Sequence, residues 1–111
     1  MVETPDRVLL ERLRDVLAEQ PVTETELRGL IDQADGLVRT LGAHMAGSER
    51  RLTELSDDPA SSLQEIASEL HRVETLRPRL DEARRLLAGL QDRARELRTA
   101  WLIGQAERVN H

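Results

Sequence analysis

Histidine and carboxylate side chains at helical spacing are the first places to look for chemistry, and here His71 stands with Glu69 and Glu74 close by. His71 and Glu74, three residues apart, would share one helix face. A carboxylate-bundle metal site needs Glu-x-x-His on paired helices, and no such tetrad occurs. A third histidine, His111, is the last residue given. The chain has no cysteine, which excludes disulfides, thiolate metal sites and thiol nucleophiles. All 16 basic residues are arginine, so Schiff-base chemistry and a P-loop lysine are excluded too. Serine and aspartate are plentiful, but there is no glycine-framed nucleophile turn, no G-x-G-x-x-G and no Walker sequence. The expectation is a protein that is not an enzyme and takes no metal or cofactor.

His44 is the most interesting polar residue. It falls on an apolar stripe, in Leu41-Gly42-Ala43-His44-Met45-Ala46-Gly47. A lone helical histidine flanked by small residues resembles the histidine phosphotransfer domains, four-helix bundles of about this size, and that resemblance implies a phosphoacceptor at His44. Those domains carry a basic residue and then glycine soon after the histidine. Here Met45, Ala46, Gly47 and Ser48 follow, and the first cations are Arg50 and Arg51. The plainer expectation is a polar layer at the core edge, His44 with Ser48, that fixes helix register.

Arginine density raises nucleic acid as a partner. Residues 77–98 contain Arg77, Arg79, Arg84, Arg85, Arg93, Arg95 and Arg98, but also Asp81, Glu82, Asp92 and Glu96, leaving a local charge of +3. The chain as a whole carries −5, and Trp101 is its single aromatic residue, so there is no stacking platform. Arginine and glutamate alternating at three and four residues are expected to pair along a helix surface. This argues against nucleic acid.

Trp101-Leu102-Ile103-Gly104 is the one apolar cluster larger than a narrow helix seam requires. Trp101 continues the seam, whereas Leu102 and Ile103 point away from it. One neighbouring helix cannot cover all three. Tryptophan is also enriched among binding hot spots. The sequence therefore predicts an interaction surface around Leu90, Leu97, Trp101, Leu102 and Ile103, unless the first helix folds over it. Gly29 and Gly36, seven apart beside the stripe, either admit a close neighbour or face solvent.

These residues must be carried by helices. Apolar residues recur at steps of three and four almost everywhere, nothing alternates with a period of two, and Leu, Arg, Glu and Ala dominate. The fold class is all-α: an antiparallel helical bundle or coiled-coil helical hairpin of three to four helices, with residues 1–111 as a single domain. Thr4 as N-cap and Pro5 at the first position begin a helix over 5–19, which Pro21 stops. Thr23 with Glu26 is a capping box for a helix over 23–56. Its stripe has Leu27, Ala34, Leu41 and Leu55 at heptad position a, Leu30 and Leu37 at d, and Ile31, Val38, Met45 and Leu52 at e. That width belongs to a helix covered by two neighbours. Asp57-Asp58-Pro59 is a turn, after which Asp58 with Pro59, or Ser62 with Glu65, caps the next helix.

Downstream, Leu63, Ile66, Leu70 and Val73 step by three and four, as do Leu76, Leu80, Ala83, Leu87, Leu90, Ala94, Leu97 and Trp101. The rhythm breaks between Val73 and Leu76. Pro78 would also clash with the carbonyl of Glu74, so a bend or a break is expected over 74–78, with helices over 60–76 and 79–108. Two architectures remain. One is a compact bundle in which 23–56 and 79–108 form the long pair; the other is a hairpin of two matched arms, 5–56 and 60–108. Pro21 and Pro78 favour the bundle.

Residues 1–35 carry nine acids and four arginines, and residues 79–111 five acids and seven arginines, so the two ends are complementary in charge. No apolar run approaches a membrane span, and the first residues lack a signal-peptide layout, which together predict a cytoplasmic protein. Arginine used to the exclusion of lysine fits a GC-rich bacterial genome. The function expected is a non-catalytic helical protein–protein interaction module (an adaptor, an assembly subunit or a small secretion-type chaperone) with protein partners and a homodimeric state. A phosphorelay bundle using His44 and an arginine-dependent nucleic-acid binder are the alternatives.

Overall fold

The computed structural model describes residues 5–17 and 23–109, with side chains placed for 7–15 and 23–109. Among the described residues the chain is all-α: α1 (Pro5–Leu17), α2 (Glu24–Asp57) and α3 (Leu63–Val109). The expected cap at Thr4, the stop at Pro21 and His111 lie outside the described residues.

Local chemistry sets the helix ends that can be seen. Thr23 opens α2: the Glu26 N–H donates to Thr23 Oγ1 at 3.1 Å, and the Leu27 N–H to the Thr23 carbonyl at 2.9 Å. After α2, Asp58 builds the turn. Its Oδ1 accepts the Ala60 N–H at 2.9 Å and its carbonyl accepts the Ser61 N–H at 3.1 Å. Ser62 then caps α3, its Oγ accepting the Glu65 N–H at 3.1 Å. Of the two candidate caps, Ser62 with Glu65 is the one used, and Asp58 makes the turn before it.

The expected break at 74–78 does not occur. Instead of two helices over 60–76 and 79–108, α3 runs unbroken through Pro78. Two facts explain this. Glu74 and Pro78 both stand on the exposed face, where water can serve the carbonyl that loses its N–H partner. Thr75 donates its hydroxyl to the His71 carbonyl at 2.9 Å, inside the helix.

The apparent change of rhythm also dissolves once the buried face is known. Glu69 is 8% exposed, whereas Leu70 is 44% and Leu63 85% exposed. The inward series is therefore Ile66, Glu69, Val73, Leu76, Leu80, Ala83, Leu87, Leu90, which keeps three–four steps throughout. A carboxylate occupies the position that the apolar pattern assigns to Leu70. Arg51 on α2 meets it, Nε to Oε2 at 3.5 Å.

In α2 the register shifts the other way. Leu27, Leu30, Ala34, Leu37, Leu41, Met45 and Ser48 are buried, so two steps of four follow one another at Leu37–Leu41–Met45. Met45 turns inward and His44 outward. The expected polar layer is thus half right in its residues: Ser48 is buried, but His44 is on the surface. A straight helix drifts about 20° per heptad against a fixed seven-residue repeat, and such a stutter corrects the drift.

The helices divide into two compact units. In unit 2, residues 36–84, α2 and α3 run antiparallel through the turn at 58–62 and bury Leu41, Met45, Val73, Leu76, Leu80 and Ala83. Arg77 reaches Glu49 across this pair at 3.6 Å. Unit 1 holds α1 together with residues 23–35 and 85–109. Its core is Leu13, Leu27, Leu30, Ala34 and Leu90, with Leu9, Ile31, Leu86, Leu87 and Ala94 packed around it. An Arg12–Glu26 ion pair also ties α1 to α2. Each fully buried leucine contributes roughly 1.5–3 kcal/mol.

The seam assignment is tested by denaturant unfolding. Leu76→Ala is expected to cost about 2–5 kcal/mol, and Leu70→Ala less than about 1 kcal/mol. Glu69→Leu is expected to stabilise by about 1 kcal/mol or more, because its partner Arg51 stays solvated. The reverse ranking of Leu70 and Leu76 would restore the apolar register. A Cβ on Gly29 or Gly36 would meet nothing within 4 Å. Neither glycine admits a close neighbour within this chain, and each change to alanine should therefore stabilise by about 0.5–1 kcal/mol in the same assay.

Candidate interaction surface

Near its C-terminal end α3 outlasts the helix that covers it. Glu24, the first residue of α2, lines the same groove as Leu97, Arg98 and Trp101 of α3. Residues 102–109 of α3 extend past that level. The seam itself does not stop there, since Gly104 and Arg108 continue the spacing of Ala94, Leu97 and Trp101. The helix thus runs on beyond its partner, with Gly104 and Arg108 at the seam positions.

The consequence is exposure. Leu97 is 40% exposed, Trp101 63%, Leu102 55% and Ile103 55%. At roughly 150–250 Å² for a whole large side chain, these four place on the order of 400 Å² of apolar surface in water. That is within the roughly 300–600 Å² of the largest apolar patch on a typical monomer, a patch that is often functional. The described residues of α1 do not cover it: Leu10 and Leu13 are buried, and Leu13 belongs to the Leu27–Leu30–Leu90 core. Leu90 was expected in the interaction surface. It is instead fully buried in unit 1, because α1 and α2 close over α3 at that level.

Beside the exposed cluster lies a groove of about 560 Å³ between α2 and α3, with a floor of Leu27, Ile31, Ala94 and Leu97. Trp101 stands at its end. Glu24, Arg28 and Arg98 edge it, and Arg28 pairs with Glu24 at 3.2 Å. Nothing in the groove resembles a catalytic constellation: it has no histidine, serine or paired carboxylates, only apolar wall and a charged rim. Sequence reading located Leu97, Trp101, Leu102 and Ile103. It did not single out the α2 wall: Leu27 reads as core and is buried, while Ile31 reads as core and is only partly covered.

The remaining chemical candidates are dispersed. Among the described residues no group of three or more histidine, aspartate or glutamate side chains could hold a metal ion. Glu69 points inward to Arg51, while His71 and Glu74 are on the surface. His44 is exposed on α2, open to solvent as a phosphoacceptor has to be. In the arginine-rich stretch, Arg95 pairs with Asp92 at 2.7 Å, the pairing along one helix expected from the interleaved sequence, whereas Arg77 pairs across to Glu49 on α2. No helix among the described residues is long and apolar enough to cross a membrane.

No known protein family, curated protein or solved structure matches this chain. The surface must be interpreted on its own chemistry.

Core and surface residues along one seam should separate cleanly on truncation. Leu90→Ala is expected to cost about 2–5 kcal/mol of unfolding free energy. Leu102→Ala and Ile103→Ala, measured in the dilute chain, should each stay within about 1 kcal/mol of the parent. Equal losses at all three positions would mean that the end of α3 is internal core.

Proposed function

We propose that the protein is a non-catalytic helical interaction module that works through the uncovered end of α3, and that it associates with itself. The observation that carries this reading is the cluster of Leu97, Trp101, Leu102 and Ile103 left in water next to an apolar groove. Burying each such side chain is worth roughly 1.5–3 kcal/mol, enough in combination to offset the entropy of association. An adaptor, an assembly subunit and a small chaperone share this chemistry: all present apolar helix faces to another protein. The dissolved partner, whether identical or not, is bound by area and shape with no bond made or broken.

The exposure of His44 supports a second reading, a phosphorelay bundle. Its neighbours weigh against it, since Ala43, Met45, Ala46 and Gly47 give a transferred phosphoryl group no cation to rest on.

Light scattering coupled to gel filtration at micromolar concentration tests the main reading. The parent chain should elute with twice its monomer mass, and Leu102→Ser combined with Ile103→Ser should reduce it to a monomer of unchanged helical circular dichroism. His44→Gln should leave the mass unaltered. A monomeric parent chain would refute self-association. Labelling of the parent but not of His44→Gln by a small phosphoryl donor would replace the interaction reading with the phosphorelay.

A further inference from the structure

We infer that the turn end of the α2–α3 hairpin has two packings, and that Arg51 and Glu69 hold the one seen in the structure. In the second, residues 63–73 of α3 turn by about 45° about the helix axis, so that Leu63 and Leu70 enter the seam and Glu69 leaves it for solvent. Both packings lie within unit 2.

At this end of the hairpin, polar side chains take places that apolar ones could fill. Between Met45 and Val73 the buried residues are Ser48 and Glu69. The large apolar residues of the same stretch are all less covered. Leu52, Leu55 and Ile66 are half-buried, Leu70 is 44% exposed and Leu63 85%. Such disagreement between pattern and packing is local frustration. A neighbouring arrangement relieves it. At about 100° per residue, Ile66, Glu69 and Val73 define one inward arc, and Leu63, Ile66, Leu70 and Val73 define another whose centre lies about 45° away. Ile66 and Val73 belong to both arcs. The turn therefore exchanges one carboxylate for two leucines without sliding the helices past each other, and Leu52 and Leu55 are the α2 side chains with area left to cover.

Residues 74–78 are where α3 can absorb the rotation. In the structure the inward series keeps three–four steps through Val73, Leu76 and Leu80. In the second packing two steps of three follow one another at Leu70–Val73–Leu76, which overwinds the helix locally. Pro78 has no N–H to give the Glu74 carbonyl, so this turn already lacks one of the bonds that resist rewinding. Overwinding disfavours the second packing, and the Arg51 Nε contact to Glu69 Oε2 at 3.5 Å favours the first. A buried ion pair adds little net stability, so the difference between the packings is small enough for a partner's preference to reverse it. The surfaces they present differ in kind: leucines in the first, a carboxylate on the face of Glu65 and Arg72 in the second.

Methyl NMR of the intact chain with a soluble gadolinium chelate distinguishes the two surfaces. In the parent chain the chelate should relax the methyls of Leu63 and Leu70 strongly and those of Leu76 and Leu80 weakly. Arg51→Glu sets a second carboxylate against Glu69 from an exposed position and should expel it. Relaxation at Leu63 and Leu70 should then fall by about half or more, with Leu76 and Leu80 unchanged. Arg51→Ala, which removes the pairing without adding repulsion, should shift both leucines the same way by less. Combining Arg51→Glu with Glu69→Leu should return them to the parent values, because a leucine at 69 completes the first packing. Leu63 and Leu70 relaxed as strongly in Arg51→Glu as in the parent would mean a single packing and overturn the inference. Stronger relaxation at Leu76 and Leu80 would overturn it too, by showing a hairpin that opens instead of turning.

Discussion

A seam of side chains spaced three and four apart runs the length of α3, and each part of it has to be covered by something. In unit 2 the cover is α2 alone; in unit 1 it is α2 with α1. Among the described residues α2 begins at Glu24, while α3 continues to Val109. The exposure of the end of α3 follows from that difference in length. Leu90 is enclosed, Leu97 is half covered, and Trp101, Leu102 and Ile103 are left in water. The groove lies beside this end, lined by Glu24 to Ile31 of α2 and Ala94 to Trp101 of α3.

The two irregularities in the seam are polar or rotational rather than apolar, which is why a hydrophobic pattern misread both. At Glu69 the pattern favours its neighbour Leu70, and choosing the leucine creates a false break before Leu76 that Pro78 then reinforces. The carboxylate is tolerated inside because the exposed Arg51 reaches over it. At His44 a strict heptad places the histidine in the core, but drift of the helix brings Met45 there instead. Neither outcome contradicts the pattern as a whole. In each case a shift of one residue chooses between two nearly equivalent faces, and long-range packing makes the choice.

What could be read locally was read correctly. The all-α class, the Thr23 and Ser62 caps and the turn at Asp58 depend on a few adjacent residues and on the period of the apolar stripe. The exposed end was legible as a surplus: Trp101, Leu102 and Ile103 span more of a turn than one neighbour covers. The groove was not legible, because its wall residue Ile31 is indistinguishable in sequence from core residues that are fully enclosed, as its neighbour Leu27 is. Leu90 failed for the converse reason. It shares the spacing of Leu97 and Trp101, and only the level at which α1 packs separates buried from exposed.

Self-association through the end of α3 can be tested directly on the intact chain by recording molar mass together with Trp101 emission across a dilution series. Association predicts a doubled mass at micromolar concentration, with emission shifting to the red as dilution frees a side chain that is 63% exposed in the single chain. A monomeric mass throughout, with blue-shifted emission that does not change on dilution, would show that the apolar end is closed within one chain and would contradict it.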